Sequence, residues 1–219
     1  MPAFEPYVCD VSLSQLDDAE EFAFAMLHMD RETVMDQFDD IYEDSLEACN
    51  ETLNCKAIWQ GFEVESVEDD CIRLSGGGVL ESTFLARVLH RADEIVMYAT
   101  TIHGFDELMK NCGDDPLDSL FYNAWGVGFS MSAHRWLKEN LANQAHEKGL
   151  FASRGWVPGE DELELSLQST LFELIDPAQI GISLDANGLM RPMMSVSGFM
   201  GICADSAIET DGSEYASCH

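Results

Sequence analysis

The chain has 219 residues, 46% of them apolar, which is enough for one substantial core and does not demand a second. Its 11 Lys and Arg stand against 41 Asp and Glu, a formal charge of -30, so nucleic-acid phosphates and anionic membrane surfaces are disfavoured as partners. No apolar run approaches the roughly 20 residues needed to span a bilayer, residues 1–10 lack the basic region of a secretory leader, and seven scattered cysteines suit reduced thiols; the expected location is cytoplasmic.

In chain order, Ser12 and Gln15 fit a capping box, and Leu16, Ala19, Phe22, Ala23, Met26 and Leu27 recur at helical spacing, predicting a helix over residues 13–28. Asp30 caps a second helix whose stripe runs from Val34 through Phe38, Ile41, Tyr42 and Leu46 to Cys49, with Asp36, Asp39, Asp40, Glu43 and Asp44 on its wet face. Residues 56–74 turn β-rich around Glu68, Asp69 and Asp70, which predicts an antiparallel hairpin. Gly76, Gly77 and Gly78 then form a connector before a short helix bearing Leu80, Phe84, Leu85 and Val88. The apolar run at residues 94–102 suits a central strand that ends at His103-Gly104, and a short helix with Phe105 and Leu108 follows.

Asp115 and Pro116 open a long helix that Gly149 stops. Its middle is unusually small, with Gly126, Gly128, Ser130, Ser132 and Ala133, as close approach of another backbone or of a ligand would require. A further helix uses Leu163, Leu167, Leu171 and Leu174, and Asp176-Pro177 closes it. Residues 180–184 and 189–202 flank the turn at Asp185-Ala186-Asn187-Gly188 and predict a second hairpin. Helices mixed with hairpin-connected strands define an α+β class. The expected organisation is a single domain over residues 1–219, with a helical N-terminal region (residues 1–55), a main region (residues 56–202) and a flexible tail (residues 203–219).

The run from Phe172 through Asp176-Pro177 and Ile180-Gly181 to Leu184, then Met190-Arg191-Pro192 and Ser195-Val196-Ser197-Gly198, resembles the C-terminal signature of the activation domain family of cobalamin-dependent methionine synthase. Residues 92–102 resemble that family's strand leading into a Thr-Ile-Gly turn, here with His103 inserted before Gly104, and the long helix and Pro158-Gly159 follow in the same order. The similarity covers residues 56–202 and is to short stand-alone members. It implies an activation domain-like fold, mixed helices around an antiparallel sheet. It also implies S-adenosylmethionine as cofactor and cobalamin carried by a partner, a corrinoid-binding protein or methyltransferase. A flavodoxin- or ferredoxin-type donor would supply the electron, and methyl transfer to a cobalt(I) corrinoid would be the reaction if the chain is active. The alternative is a non-catalytic binding protein that kept the fold and lost the pocket.

A nucleoside with a carboxylate, an ammonium and a sulfonium asks for a cation, carboxylates and backbone polar groups rather than a nucleophile. The resemblance makes Arg154 the candidate for the ligand carboxylate, with Trp156, Pro158, Gly159 and Glu160 on the same loop. Two departures stand there: three residues rather than two separate Arg154 from Pro158, and Glu160 replaces the family's tyrosine. Glu160 either meets the ammonium or stabilises the first turn of the next helix. A third departure is the long helix, where Ser130, Ser132 and His134 stand in place of the family's carboxylate. Ser195, Ser197 and Gly198 are ligand-lining candidates or strand-pairing residues, both hydroxyls facing one side and Gly198 the other. No catalytic side chain and no resident metal is expected. Cys203, Cys218 and His219 are too widely spaced for a recognisable metal motif.

Overall fold

The computed structural model describes residues 1–112 and 115–213. The chain opens with strand β1 (Tyr7–Val11) and a capped 3-10 turn (Leu13–Gln15), then helices α1 (Ala19–Leu27), α2 (Arg31–Gln37) and α3 (Asp39–Thr52). Strands β2 (Asn54–Val67), β3 (Cys71–Leu74) and β4 (Val79–Glu81) precede α4 (Thr83–Val88), β5 (Glu94–His103) and α5 (Phe105–Asn111). Helix α6 (Pro116–Glu147) leads to β6 (Phe151–Ala152), α7 (Leu167–Ile175), the small pair β7 (Ser183–Leu184) and β8 (Met190–Arg191), and β9 (Ser195–Cys203).

One antiparallel sheet runs β4-β3-β2-β5-β9-β6, with β1 also paired to β2. β5 lies at its centre and is buried from Glu94 to Ile102, as its unbroken apolar run requires. Alternation along the strands gives each face its own core. Val96, Tyr98, Ile102, Met200 and Ile202 face α1, α3 and α6, whereas Ile95, Met97, Ala99 and Phe199 face α4 and α7. The small residues of α6 mark close contacts. A Cβ on Gly126 would strike the Phe105 ring, and one on Gly128 would lie 3.2 Å from Ala23 Cβ of α1. The Ser132 hydroxyl donates to Asp18 Oδ1, just before α1.

Several expectations change. The N-terminal region is not purely helical, because β1 lies along β2. The predicted helix over 13–28 is a 3-10 turn followed by α1, and the Val34-to-Cys49 stripe is broken at Phe38, whose φ of -140° ends α2 and starts α3. The second hairpin shrinks to β7–β8; β9 instead pairs with β5 and β6, where all of its Ser197-to-Cys203 stretch is buried. Some of the expected tail is packed as well: a 3-10 turn (Ser206–Glu209) buries Ile208 fully, and Gly212 lies against the Trp156 ring. Cys218 and His219 lie outside the described residues. Among the described residues no helix is long and apolar enough to cross a membrane.

Candidate functional site

The arginine loop is an extension of the sheet. After β6 it runs beside β9, with Ser153 N donating to Gly201 O at 2.8 Å and Gly201 N donating to Ser153 Oγ at 2.9 Å. Further along, Trp156 and Phe199 exchange both backbone bonds, at 2.8 and 2.9 Å. Arg154 is thus held between two anchors. The chain then turns sharply: Pro158 is buried, Gly159 takes φ +94°, and Glu160 N donates to Val157 O at 3.1 Å. Asp161, at φ 51°, returns its carboxylate to Arg154 Nη2 at 3.5 Å.

Arg154 therefore has two fixed neighbours. Its guanidinium lies over the Trp156 ring, 4.5 Å from the centroid, and faces Asp161. Its side chain is 27% exposed, and its Nη1 is buried with no hydrogen-bond partner among the described residues. The unused donor is costly inside a protein and is satisfied by any acceptor that reaches it. Lys138 of α6 approaches the same loop, since a Cβ on Gly155 would lie 2.7 Å from Lys138 Cδ. Burial lowers the Lys138 pKa first, the Arg154 charge lowers it further, and Glu160 opposes both. Cations and carboxylates thus alternate over Arg154, Lys138, Glu160 and Asp161, which matches a zwitterionic ligand better than a simple anion.

Beneath Gly155 lies a buried pair that no sequence motif joins. Tyr98 Oη and His134 Nε2 are 2.9 Å apart, with Tyr98 fully buried and His134 7% exposed. Burial, then the Lys138 charge, pushes the His134 pKa down to about 3, so the imidazole is neutral near pH 7. Burial, then Glu160, raises the Tyr98 pKa. Lys138 follows His134 by four residues, the spacing that puts both on one helix side and the one signal in the sequence that links them to the loop.

The expected site residues are not all equally placed. Arg154, Gly159 and Glu160 reach the surface of the loop, whereas Trp156 is 1% exposed and packs edge-on against Phe84. Ser195 Oγ donates to Thr101 Oγ1 and approaches Pro192 O, at 2.8 and 2.7 Å. Ser197 is wholly buried, with Oγ 3.5 Å from Gln168 Oε1. Gly198 is on the opposite face, where a Cβ would lie 2.6 Å from Tyr98 Cζ and 2.9 Å from Trp156 O. The sheet therefore separates Ser195 and Ser197 from Gly198, and the phenol of Tyr98 occupies the space that the glycine leaves.

An antiparallel sheet covered by helices on both faces, with an arginine loop paired to its last strand, defines an α+β domain of specific topology. That topology has a solved counterpart. The chain is similar to the crystal structure of the MetH reactivation domain bound to AdoHcy, with a TM-score of 0.69 and 15% identity over 92% of this chain and 80% of that one. This chain has the fold of that reactivation domain. No protein-family model and no curated protein matches the chain.

Proposed function

We propose that this chain works as an activation domain does, binding S-adenosylmethionine and supporting reductive methylation or reactivation of a corrinoid carried by a partner. The observation that carries the reading is Arg154. Its guanidinium is clamped by Trp156 and Asp161 at the edge of the sheet and keeps a donor, Nη1, with no partner among the described residues. The similar MetH reactivation domain was solved with AdoHcy, a nucleoside that carries a carboxylate and an ammonium.

The donor set fits such a ligand. Arg154 would take the carboxylate, Glu160 the ammonium, and Gly159 would let the ligand approach the backbone without a Cβ in the way. When bound, the nucleoside supplies an activated methyl and the corrinoid the cobalt(I) nucleophile, so no side-chain nucleophile or base is required. What this chain's residues contribute is orientation: Trp156 holds the guanidinium, and the Ser153 and Trp156 backbone bonds fix the loop. The partner would be a corrinoid-binding protein or methyltransferase, with a flavodoxin- or ferredoxin-type donor supplying the electron.

Isothermal titration of the full chain with S-adenosylmethionine and with its demethylated product tests this. Binding should weaken by roughly 10- to 100-fold in Arg154→Ala, the loss of one charge-assisted contact. Absence of heat with either ligand would overturn the reading.

A second reading rests on the burial of Trp156 and Ser197 and on the Tyr98 ring beneath Gly198. These fill much of the space assigned to a ligand, and on that basis the chain keeps the fold as a non-catalytic binding protein. Capture of a corrinoid protein by a chain that binds neither nucleoside is the result that favours it.

A further inference from the structure

A groove of about 600 Å³ runs between the N-terminal segment with β1 and one flank of α6. Its sheet side is aromatic. Tyr7 and Trp59 are direct partners in the β1–β2 register, their ring centroids are 4.7 Å apart, and Tyr7 is 54% exposed. Across from them α6 contributes Trp136, Asn140 and Gln144. The two amides stand four residues apart on one helix face, and Gln144 Nε2 donates to Asn140 Oδ1 at 2.6 Å. That bond leaves Asn140 Nδ2 as donor and Gln144 Oε1 as acceptor, and neither takes a hydrogen bond among the described residues.

This flank of α6 is separate from the arginine loop. Lys138 stands two residues, about 200° of helix, from both Trp136 and Asn140, and it meets Gly155 instead. Charge narrows the occupant further. Lys148, the cation among the lining residues, is engaged by the Ala3 carbonyl and lies 4.1 Å from the centre of the Phe4 ring. Glu5 and Asp10 face the same space. Lys148 keeps its charge, but two carboxylates face it across the groove, and although Lys56 lies 3.8 Å from Asp10, the lining is net acidic and disfavours a phosphate.

We infer that the groove is a second ligand site for a neutral planar base of the aminopurine class, taken as the base or as a nucleoside without phosphate. Aromatic faces stack on any base, and a donor beside an acceptor is the amide pattern that matches an amino group next to a ring nitrogen. The volume lies in the range of small-molecule pockets. This inference does not depend on Arg154.

The test uses adenosine and AMP as probes on the full chain, read by titration calorimetry and by quenching of tryptophan fluorescence, since Trp59 and Trp136 line the groove. Adenosine should bind more tightly than AMP to the wild-type chain. Tyr7→Ala and Asn140→Leu should each weaken adenosine by roughly tenfold, while Arg154→Ala leaves it unchanged. Absence of adenosine binding, AMP binding as tightly as adenosine, or a loss confined to Arg154→Ala overturns the inference. The comparison of adenosine with AMP reads the selectivity, and the two groove variants, each checked for folding by circular dichroism, place the binding; unchanged adenosine affinity in both folded variants also overturns the inference.

Discussion

The two faces of the sheet bury different interiors. Under α4 and α7 the packing is apolar, with Ile95, Met97, Phe199 and Trp156 at 0–1% exposure. Under α6 polar groups are buried in pairs: Tyr98 with His134, Trp125 Nε1 with Ser45 Oγ at 3.1 Å, and Ser132 with Asp18. Both candidate ligand regions flank the second face, the arginine loop over Lys138 and the aromatic groove along Trp136 and Asn140. Buried polar pairs are thus concentrated under α6, while among the described residues the α4 and α7 face holds one such pair, Ser197 with Gln168.

The sharpest way to break that contrast is Trp156→Ala. The ring is fully buried, edge-on to Phe84 at 5.1 Å between centroids, and carries the Arg154 guanidinium. Truncation should cost about 3–5 kcal/mol in urea unfolding, as large aromatic deletions in cores do. A cost below about 1 kcal/mol would mean that the apolar face does not clamp the loop. Gly198→Ala probes the same seam by overpacking. Its Cβ would meet the Trp156 backbone at 2.9 Å as well as the Tyr98 ring, so neither neighbour yields easily, and roughly 1–3 kcal/mol should be lost.

The polar face makes a pH prediction. His134 has a folded pKa of about 3 against an ordinary 6.5, so below pH 6.5 the unfolded chain takes up a proton that the folded chain refuses. Stability contributed by the neutral imidazole is therefore complete above pH 6.5 and falls as pH drops toward 3, by about 1.4 kcal/mol per pH unit. His134→Gln keeps a polar partner for Tyr98 but does not titrate. Unfolding measured between pH 6.5 and 5, above the ordinary carboxylate range, should decline less steeply in the variant; identical slopes would remove His134 from the account.

Elements with a strong local signal are legible in the sequence. β5 follows from its continuous apolar run, and α6 from Asp115, Pro116 and Gly149 at its ends. β1 escapes a reading by pattern because it is short and half exposed, so neither burial nor periodicity marks it. The split at Phe38 is hidden because Val34 to Cys49 stays in helical phase across the break. By turn chemistry β9 pairs with its sequence neighbour, yet a strand buried on both faces needs neighbours on both edges, and β5 and β6 supply them. At the site, Arg154 is legible through resemblance to a motif. Tyr98 with His134 is not, since the two stand 36 residues apart and only packing joins them.

Ser197→Ala is the smallest and most discriminating change. The hydroxyl is fully buried on the apolar face, and its hydrogen bond among the described residues, to Gln168 Oε1, is 3.5 Å long and weak. Gln168 Nε2 is independently engaged with Gly188 O at 2.6 Å, so the amide keeps its main bond when the hydroxyl is removed. Stability should therefore change by less than about 1 kcal/mol. If Ser197 serves only strand packing, nucleoside affinity should not move either. A tenfold loss of S-adenosylmethionine binding with unchanged stability would put a ligand contact on the apolar face and erase the distinction between the two sides of the sheet.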